Sequence, residues 1–416
     1  MPTLSSSSRT GLAYKLEGVY PTNFGVAPNG NGTLLAMTGE SLSYDVKTES
    51  SKAIRTDRQT PDIVQVGASA QGGFNFEQQY KEYDPFLQGI LQGDFSVYGT
   101  AGVSAAIATL TLASGSITAG AAPTGGDAFT TLKKGQWFSV IPAAGASAQV
   151  KAYLKGRAFR VSPTTAPTAT VITLDPATPM DTATAGTSLS GASISSAVAT
   201  NGTTMKSYTI EVLHADINQY RVFSGLIPSK MDLKLSVGSI VTGSFEFMGK
   251  AGAMNGASGM GTPTDSLGYT PANATKGVFD ILEGGTSISA TTFIKSADIS
   301  IDNGLRAQEA IGVFGNAGVA AGTLKITGKL EVYFADSTMY QKFLSGSASS
   351  IALPVLDVDG NGYIFVFPRV KYTAAKVNAG GQDQDNMLSM DWQALPDLDP
   401  TSSTYNKSVA IYRVGA

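Results

Sequence analysis

Few residues in this chain are typed and spaced for chemistry. Histidine occurs once, as His214, within a strand-like run. A lone His cannot form a His-based metal set, and a triad would need a nucleophile and an orienting acid that no motif singles out. His214 therefore reads as structural. The run Asp357-Val358-Asp359-Gly360-Asn361-Gly362 has the look of a calcium loop, but Gly360 stands fourth where an EF-hand needs its turn Gly sixth. Phe367 or Pro368 falls near the place of the closing Glu. A tight turn using Asp and Asn backbone bonds explains the same residues. Carboxylates are scattered: Glu77, Glu82 and Asp84 lie near one helical segment, Asp298 and Asp302 much later. Glycosidase chemistry needs a close pair, and the sequence nominates none. Phosphate loops, dinucleotide fingerprints, nucleophile elbows and zinc signatures are all missing. We expect no catalytic residue, no metal and no cofactor.

The densest mixed-charge cluster is Lys52, Arg55, Asp57 and Arg58. An Arg fork suits bidentate carboxylate contacts, so these four are candidate contacts between subunits. A locally balanced exposed loop accounts for them equally well. Over 416 residues only 15% are charged, while Gly numbers 47, a balance that suits strands and turns better than long helices. Net charge is -3 and no basic run appears, so a stripe gripping nucleic acid is not visible. Cysteine is absent, which removes disulfides and thiolate chemistry. The polar, Ser-rich stretch Met1 to Thr10 does not read as an export signal, and no apolar run reaches membrane-spanning length.

Period-two alternation marks strands at Leu34–Met37, Ser207–His214, Tyr220–Ile227, Met231–Leu235, Ile240–Met248, Ala297–Ile301, Leu324–Phe334, Tyr363–Phe367 and Val370–Ala374. Between Asp84 and Leu91, Phe86, Leu87, Ile90 and Leu91 fall at helical spacing, with Asp84 as N-cap, Pro85 in the first turn and Gly93 as the stop. Strand, Arg-bearing segment, Gly, alternating strand and short helix recur in that order. Leu42-Ser43-Tyr44-Asp45, Gly73–Glu77 and Phe86-Leu87 in the first copy answer Ile299-Ser300-Ile301-Asp302, Gly328–Val332 and Phe343-Leu344 in the second. Phe86, Leu87, Phe343 and Leu344 are the expected helix cores. Four parts follow: a first unit at 11–98 and 206–250, an insertion at 99–205, a flexible Gly/Ala/Asn-rich connection at 251–271, and a second unit at 272–416. The insertion offers short strands at Leu132–Val140, Ala148–Arg157, Phe159–Pro163 and Ala169–Leu174, and 176–190 reads as a loop.

Ser51–Gln59, Gly72–Glu77 with the Tyr83–Leu91 helix, Thr209-Ile210-Glu211 with Tyr220–Gly225, and Ile240–Lys250 together resemble the siphophage major tail tube protein family. Leu132–Phe138 resembles that family's small β insertion, and the match is looser after Ala251. The resemblance implies a mainly β fold of duplicated tail-tube-type β-sandwich domains, each with a short flanking α-helix, plus the small inserted β domain, facing outward. It implies a homo-oligomer whose rings stack into a tube, with DNA passing through the lumen without specific binding. Tail terminator, tape measure and baseplate proteins are the implied partners, the virion tail the location and the host cytoplasm the place of synthesis. With two units per chain, trimeric rings of pseudo-sixfold symmetry are expected rather than hexameric ones. The alternatives are another virion structural protein, such as a capsid decoration or baseplate component, and a carbohydrate-binding β module. The second needs an aromatic platform, and Trp137 and Trp392 lie in different regions.

Overall fold

The computed structural model describes residues 5–18, 20, 30–99, 102–181, 184–275, 281–288 and 292–415. Its strands fall into two sets that pair in the same order, antiparallel throughout. In the first set, Ser43–Ser50 pairs with Ile63–Glu77, which pairs with Thr242–Gly249, which pairs with the C-terminal half of Gln219–Ser236. In the second, Ile294–Asp302, Lys325–Tyr333, Met387–Leu395 and the C-terminal half of Gly362–Asn378 follow the same sequence of partners. The N-terminal half of each long strand passes into a second layer. There Gln219–Ser236 runs between Tyr208–His214 and Ala251–Asn255, and Gly362–Asn378 between Ser349–Leu356 and Ala410–Val414.

Each long strand reads in the sequence as two shorter ones because a bulge interrupts its alternation. The register shifts between Pro228 and Lys230 opposite Phe247 and Glu246, and between Tyr372 and Ala374 opposite Trp392 and Asp391. One extra residue, Ser229 or Thr373, bends each strand within its sheet-forming half. The strands pass between layers a little earlier, at 226–227 and 369–370, where the second-layer ladders shift register between Phe223 and Leu226 and between Phe367 and Val370. Pro228 and Pro368 lie at this handover, where a missing N–H costs least. The inner face of each four-strand set is apolar. Phe74, Phe76, Phe245 and Phe247 fill the first, and Leu330, Val332, Met390 and Trp392 the second. Gly72 stands opposite Phe247 and Gly328 opposite Trp392, so each aromatic lies across a position that has no side chain. The repeat as read in the sequence aligned Gly73 with Gly328; the ladders align Gly72 with it, one residue away, which keeps Phe74 and Leu330 on the core face.

The helix α1 (Asp84–Leu91) buries Phe86, Leu87, Ile90 and Leu91. The Phe86 ring lies 4.8 Å from that of Tyr14, 5.2 Å from Phe74 and 5.0 Å from Tyr208. The N-cap is Tyr83 rather than Asp84, and Gln92 rather than Gly93 adopts the left-handed cap, at φ 52°. In the insertion, Ala148–Leu154 forms a helix, α2, where a strand was expected. The Ser147 hydroxyl caps it by accepting from the Val150 N–H at 3.3 Å, and Val150 and Leu154 share its buried face. The third helix, α3 (Thr338–Ser345), buries Met339. Phe343 is half-buried, but Leu344 is 58% exposed, so the second helix uses a different residue of its face from the one expected.

The insertion has its own apolar cluster, with Leu110, Leu112, Phe138, Phe159, Ile172 and Ile194 among its members. Its stems, Phe95–Val97 and Ala197–Thr200, pair with each other, and Ala197–Thr200 also pairs with Ala410–Val414. The insertion is thus fastened to the second layer of the second set. Part of the expected flexible connection is also ordered: Ala251–Asn255 is a strand whose small residues hide any alternation. A Cβ at Gly252 would press on Tyr44 at 2.7 Å, which explains the lack of side-chain bulk.

A Cβ at Gly328 would collide with the Trp392 ring and the Asp298 carbonyl. Gly328→Val should lower stability by about 1–3 kcal/mol, read as an earlier thermal melting transition.

Candidate functional site

The most informative surface is a joint between the two strand sets. Residues 230–236 of the first set pair with 296–302 of the second, from Lys230 opposite Asp302 to Ser236 opposite Ser296. The Asn303 N–H donates to the Ser229 carbonyl at 2.9 Å and the Val237 N–H to the Lys295 carbonyl at 3.2 Å, extending the ladder at both ends. On the inner face Met231, Leu233 and Leu235 meet Ala297, Ile299 and Ile301, all buried. Outside, Lys230 opposes Asp302 and Lys234 opposes Asp298, while Lys230 also bonds Asp232 at 2.6 Å. That bond raises the Lys230 pKa. Apolar below and charge-matched above, this ladder makes one eight-strand sheet from two four-strand sets.

The combined sheet ends on two margins. Ser43–Ser50 pairs only with Ile63–Glu77 among the described residues, and 371–378 only with Met387–Leu395. The Ser41 N–H bonds the Gly73 carbonyl, so residues 43 and 45 turn their backbone groups inward and 44 and 46 turn theirs outward. The opposite face of the sheet is polar, with Asp45, Asn75, Ser244, Glu246, Asp298, Lys329, Asp391 and Lys376 all half-buried or exposed.

The four charged candidates occupy the 51–62 loop between the first two strands. Arg55 and Asp57 pair with each other, Nη2 to Oδ2 at 2.6 Å, with both groups in solvent. Lys52 and Arg58 are exposed beside them, Arg58 at φ 59°. The matching connection of the second set, 303–324, reaches back over the first: Asn316 Nδ2 donates to the Gly249 carbonyl at 2.8 Å, and Lys47 lies 3.6 Å from Glu309. Both connections expose apolar residues, Ile54 in one, Ile311 and Phe314 in the other.

The buried acids are held by structural bonds. Glu211 accepts from Ser258 Oγ at 2.6 Å and the Gly259 N–H at 2.7 Å. Glu82 accepts from the N–H groups of Ala36 and Leu267, and Glu283 from Lys342, Ser349 and Tyr372. In the Asp357–Gly362 run, Asp357 Oδ1 accepts from the N–H groups of Asp359 and Asn361, both at 2.8 Å, which is a turn. His214 Nε2 accepts from Arg221 Nε at 3.3 Å. No group of three or more metal-ligating side chains occurs among the described residues.

Sequence reasoning missed the cluster that ties α1 to the second set. Tyr363 donates to Asp84 Oδ1 at 2.5 Å while its oxygen accepts from the Lys81 N–H at 2.8 Å, and Arg413 holds Asp84 Oδ2 at 2.6 Å. Burial raises the Asp84 carboxyl above its ordinary 3.8 despite both partners, and pushes the fully buried Tyr363 well up. No motif announces this cluster, since its members lie far apart in the chain. Because the folded state binds the Asp84 proton more tightly, its contribution is fully present below 3.8 and declines as pH rises through the raised value. The melting-temperature difference between wild type and Asp84→Asn should therefore shrink or reverse across that acid range. Arg413→Met, which strands a buried carboxylate, should cost about 3 kcal/mol near neutral pH, measured by denaturant unfolding.

A doubled sheet with open margins defines a mainly β protein. A family model described as phage tail tube protein matches residues 7–394, and the chain belongs to that family. It is thus a structural component of a phage tail, of a family that assembles into a tube, and not a member of an enzyme family. No curated protein sequence matches it. No described helix is long and apolar enough to cross a membrane.

Proposed function

We propose that this chain is the repeating subunit of the tail tube of a long-tailed, siphophage-type bacteriophage. Three copies form a ring of pseudo-sixfold symmetry, and stacked rings form the channel for genome delivery. The observation that carries this reading is the joint between 230–236 and 296–302, which is a strand-to-strand contact between two equivalent units. Every step across the eight-strand sheet is antiparallel, so its two margins run in opposite directions. One chain's 371–378 margin can therefore meet the next chain's 43–50 margin in the same sense as the internal joint. Closing the sheet in this way satisfies backbone groups that would otherwise invite aggregation.

The two tube units comprise 11–98 with 206–255, and the second strand set to the C-terminus. The polar face is the lumen, because the other face is covered by the second layer and helices. Its mixed charges let DNA pass without gripping phosphates. The insertion hangs from the second layer, on the side away from the polar face, and so faces outward. The exposed apolar connections at 51–62 and 303–324 are suited to contacts between stacked rings, with Lys52, Arg55, Asp57 and Arg58 at one of them. Tail terminator, tape measure and baseplate proteins would be the partners at the ends and inside.

Val46 directs its N–H outward on the margin, so proline there removes a donor to a neighbour while leaving the in-chain ladder intact. Purified wild type should form tubes with a central channel in negative stain. Val46→Pro should remain folded by circular dichroism and sediment as single chains. Tubes formed equally well by Val46→Pro, or rings of six chains in a reconstruction, would overturn this arrangement.

A further inference from the structure

The internal joint also fixes the residue-by-residue alignment of the joint between chains, an inference that rests on the tube reading above. Equivalent positions follow from the ladders themselves. Phe245 faces Phe74 and Met231, and Met390 faces Leu330 and Ala375, so Met231 corresponds to Ala375. Ile299 faces Gly328, and Ser43 faces Gln71, which sets Leu42 beside Gly72; Ile301 therefore corresponds to Tyr44. Within the chain Met231 opposes Ile301. We infer that in the assembled ring Ala375 of one chain opposes Tyr44 of the next, with Ala374 opposite Asp45 and Lys376 opposite Ser43.

Two observations agree with this alignment. First, hydrogen-bonding direction matches. Residues 299, 301 and 303 aim their backbone groups at the internal joint, as the 303-to-229 and 237-to-295 bonds show. Their counterparts 42, 44 and 46 aim theirs at the open margin. Second, the apolar surfaces match. Val46 and Val377 are each 39% exposed on the core-side face, flanking half-buried Tyr44 and Ala375, and this register covers them. In this register Val377 lies opposite Leu42, whose N–H already donates to Glu40 Oε2 at 3.0 Å and whose carbonyl accepts from Arg221 Nη1 at 3.1 Å, so the hydrogen-bonded ladder between chains ends at Tyr44. A slip of one residue would turn every side chain to the wrong face, whereas a slip of two would keep the faces, so the registers two residues away are the ones a test must separate.

Cysteine cross-linking reads this directly, since the chain has no cysteine of its own. Residues 43 and 376 lie at opposite ends of an eight-strand sheet, roughly 33 Å apart at ordinary strand spacing, so a disulfide joining them must link two chains. Chains carrying Ser43→Cys are co-assembled with chains carrying Lys376→Cys and oxidised, and dimers are counted on a non-reducing gel. The two-residue slips are represented by Ser43→Cys with Ala374→Cys and Ser43→Cys with Asn378→Cys. The expected result is about tenfold more dimer from the 43/376 pair than from either slipped pair, because disulfides demand a narrow Cα separation. The double variant Ser43→Cys/Lys376→Cys should yield closed covalent rings. Should 43/376 chains not assemble, Asp45→Cys with Ala374→Cys tests the same register. Assembled tubes in which a slipped pair dominates, or in which both in-register pairs stay unlinked, overturn the alignment and leave the tube reading standing. Wild-type protein that never forms tubes would fail the tube reading itself, before any oxidation.

Discussion

The unpaired edge of a β-sheet is the constraint on which this structure turns. Backbone N–H and C=O groups at an edge must find partners or remain in water, and a long edge is a site of uncontrolled association. The chain meets that constraint once internally, by laying 296–302 along 230–236. Everything around the joint serves it. Each long strand gives one half to the sheet, and the aromatic residues opposite Gly72 and Gly328 keep the sheet pressed on its core. Asp84, Tyr363 and Arg413 bind the first helix to the second strand set across the molecule.

Much of this was legible in the sequence, because strand alternation is a strong signal where one face is buried. Tyr208–His214, Ile294–Asp302 and Lys325–Tyr333 fall within a few residues of the expected spans. The aligned quartets Leu42–Asp45 and Ile299–Asp302 do take equivalent places in the ladders. The failures have identifiable causes. Alternation cannot reveal a strand made of small residues, such as Ala251–Asn255, and it breaks at a bulge, which split Gln219–Ser236 and Gly362–Asn378. In Ala148–Leu154 a Ser cap and the Val150/Leu154 spacing outweighed apparent strand character. Phe343-Leu344 copies the motif of Phe86-Leu87 but not its depth, since burial depends on what the helix packs against.

The joint between the strand sets was only partly readable. Charge density drew attention to Lys52, Arg55, Asp57 and Arg58, yet Arg55 and Asp57 satisfy one another within the loop. The joint carried a quieter signal, Lys-x-Asp-x-Lys at 230–234 against Asp-x-Ser-x-Asp at 298–302, recognisable only once the strands are known to be neighbours. Buried polar clusters such as Asp84–Tyr363–Arg413 leave no local trace, because their members are brought together by tertiary packing alone.

Covalent linkage of the two strand sets has a kinetic meaning. Contacts between tethered partners form at an effective concentration of millimolar order, whatever the dilution of the protein. The internal ladder is therefore completed during folding, as a first-order event, while any contact with a second molecule waits on collision. Dilution separates molecules but never these halves, so even a single molecule carries one finished seam.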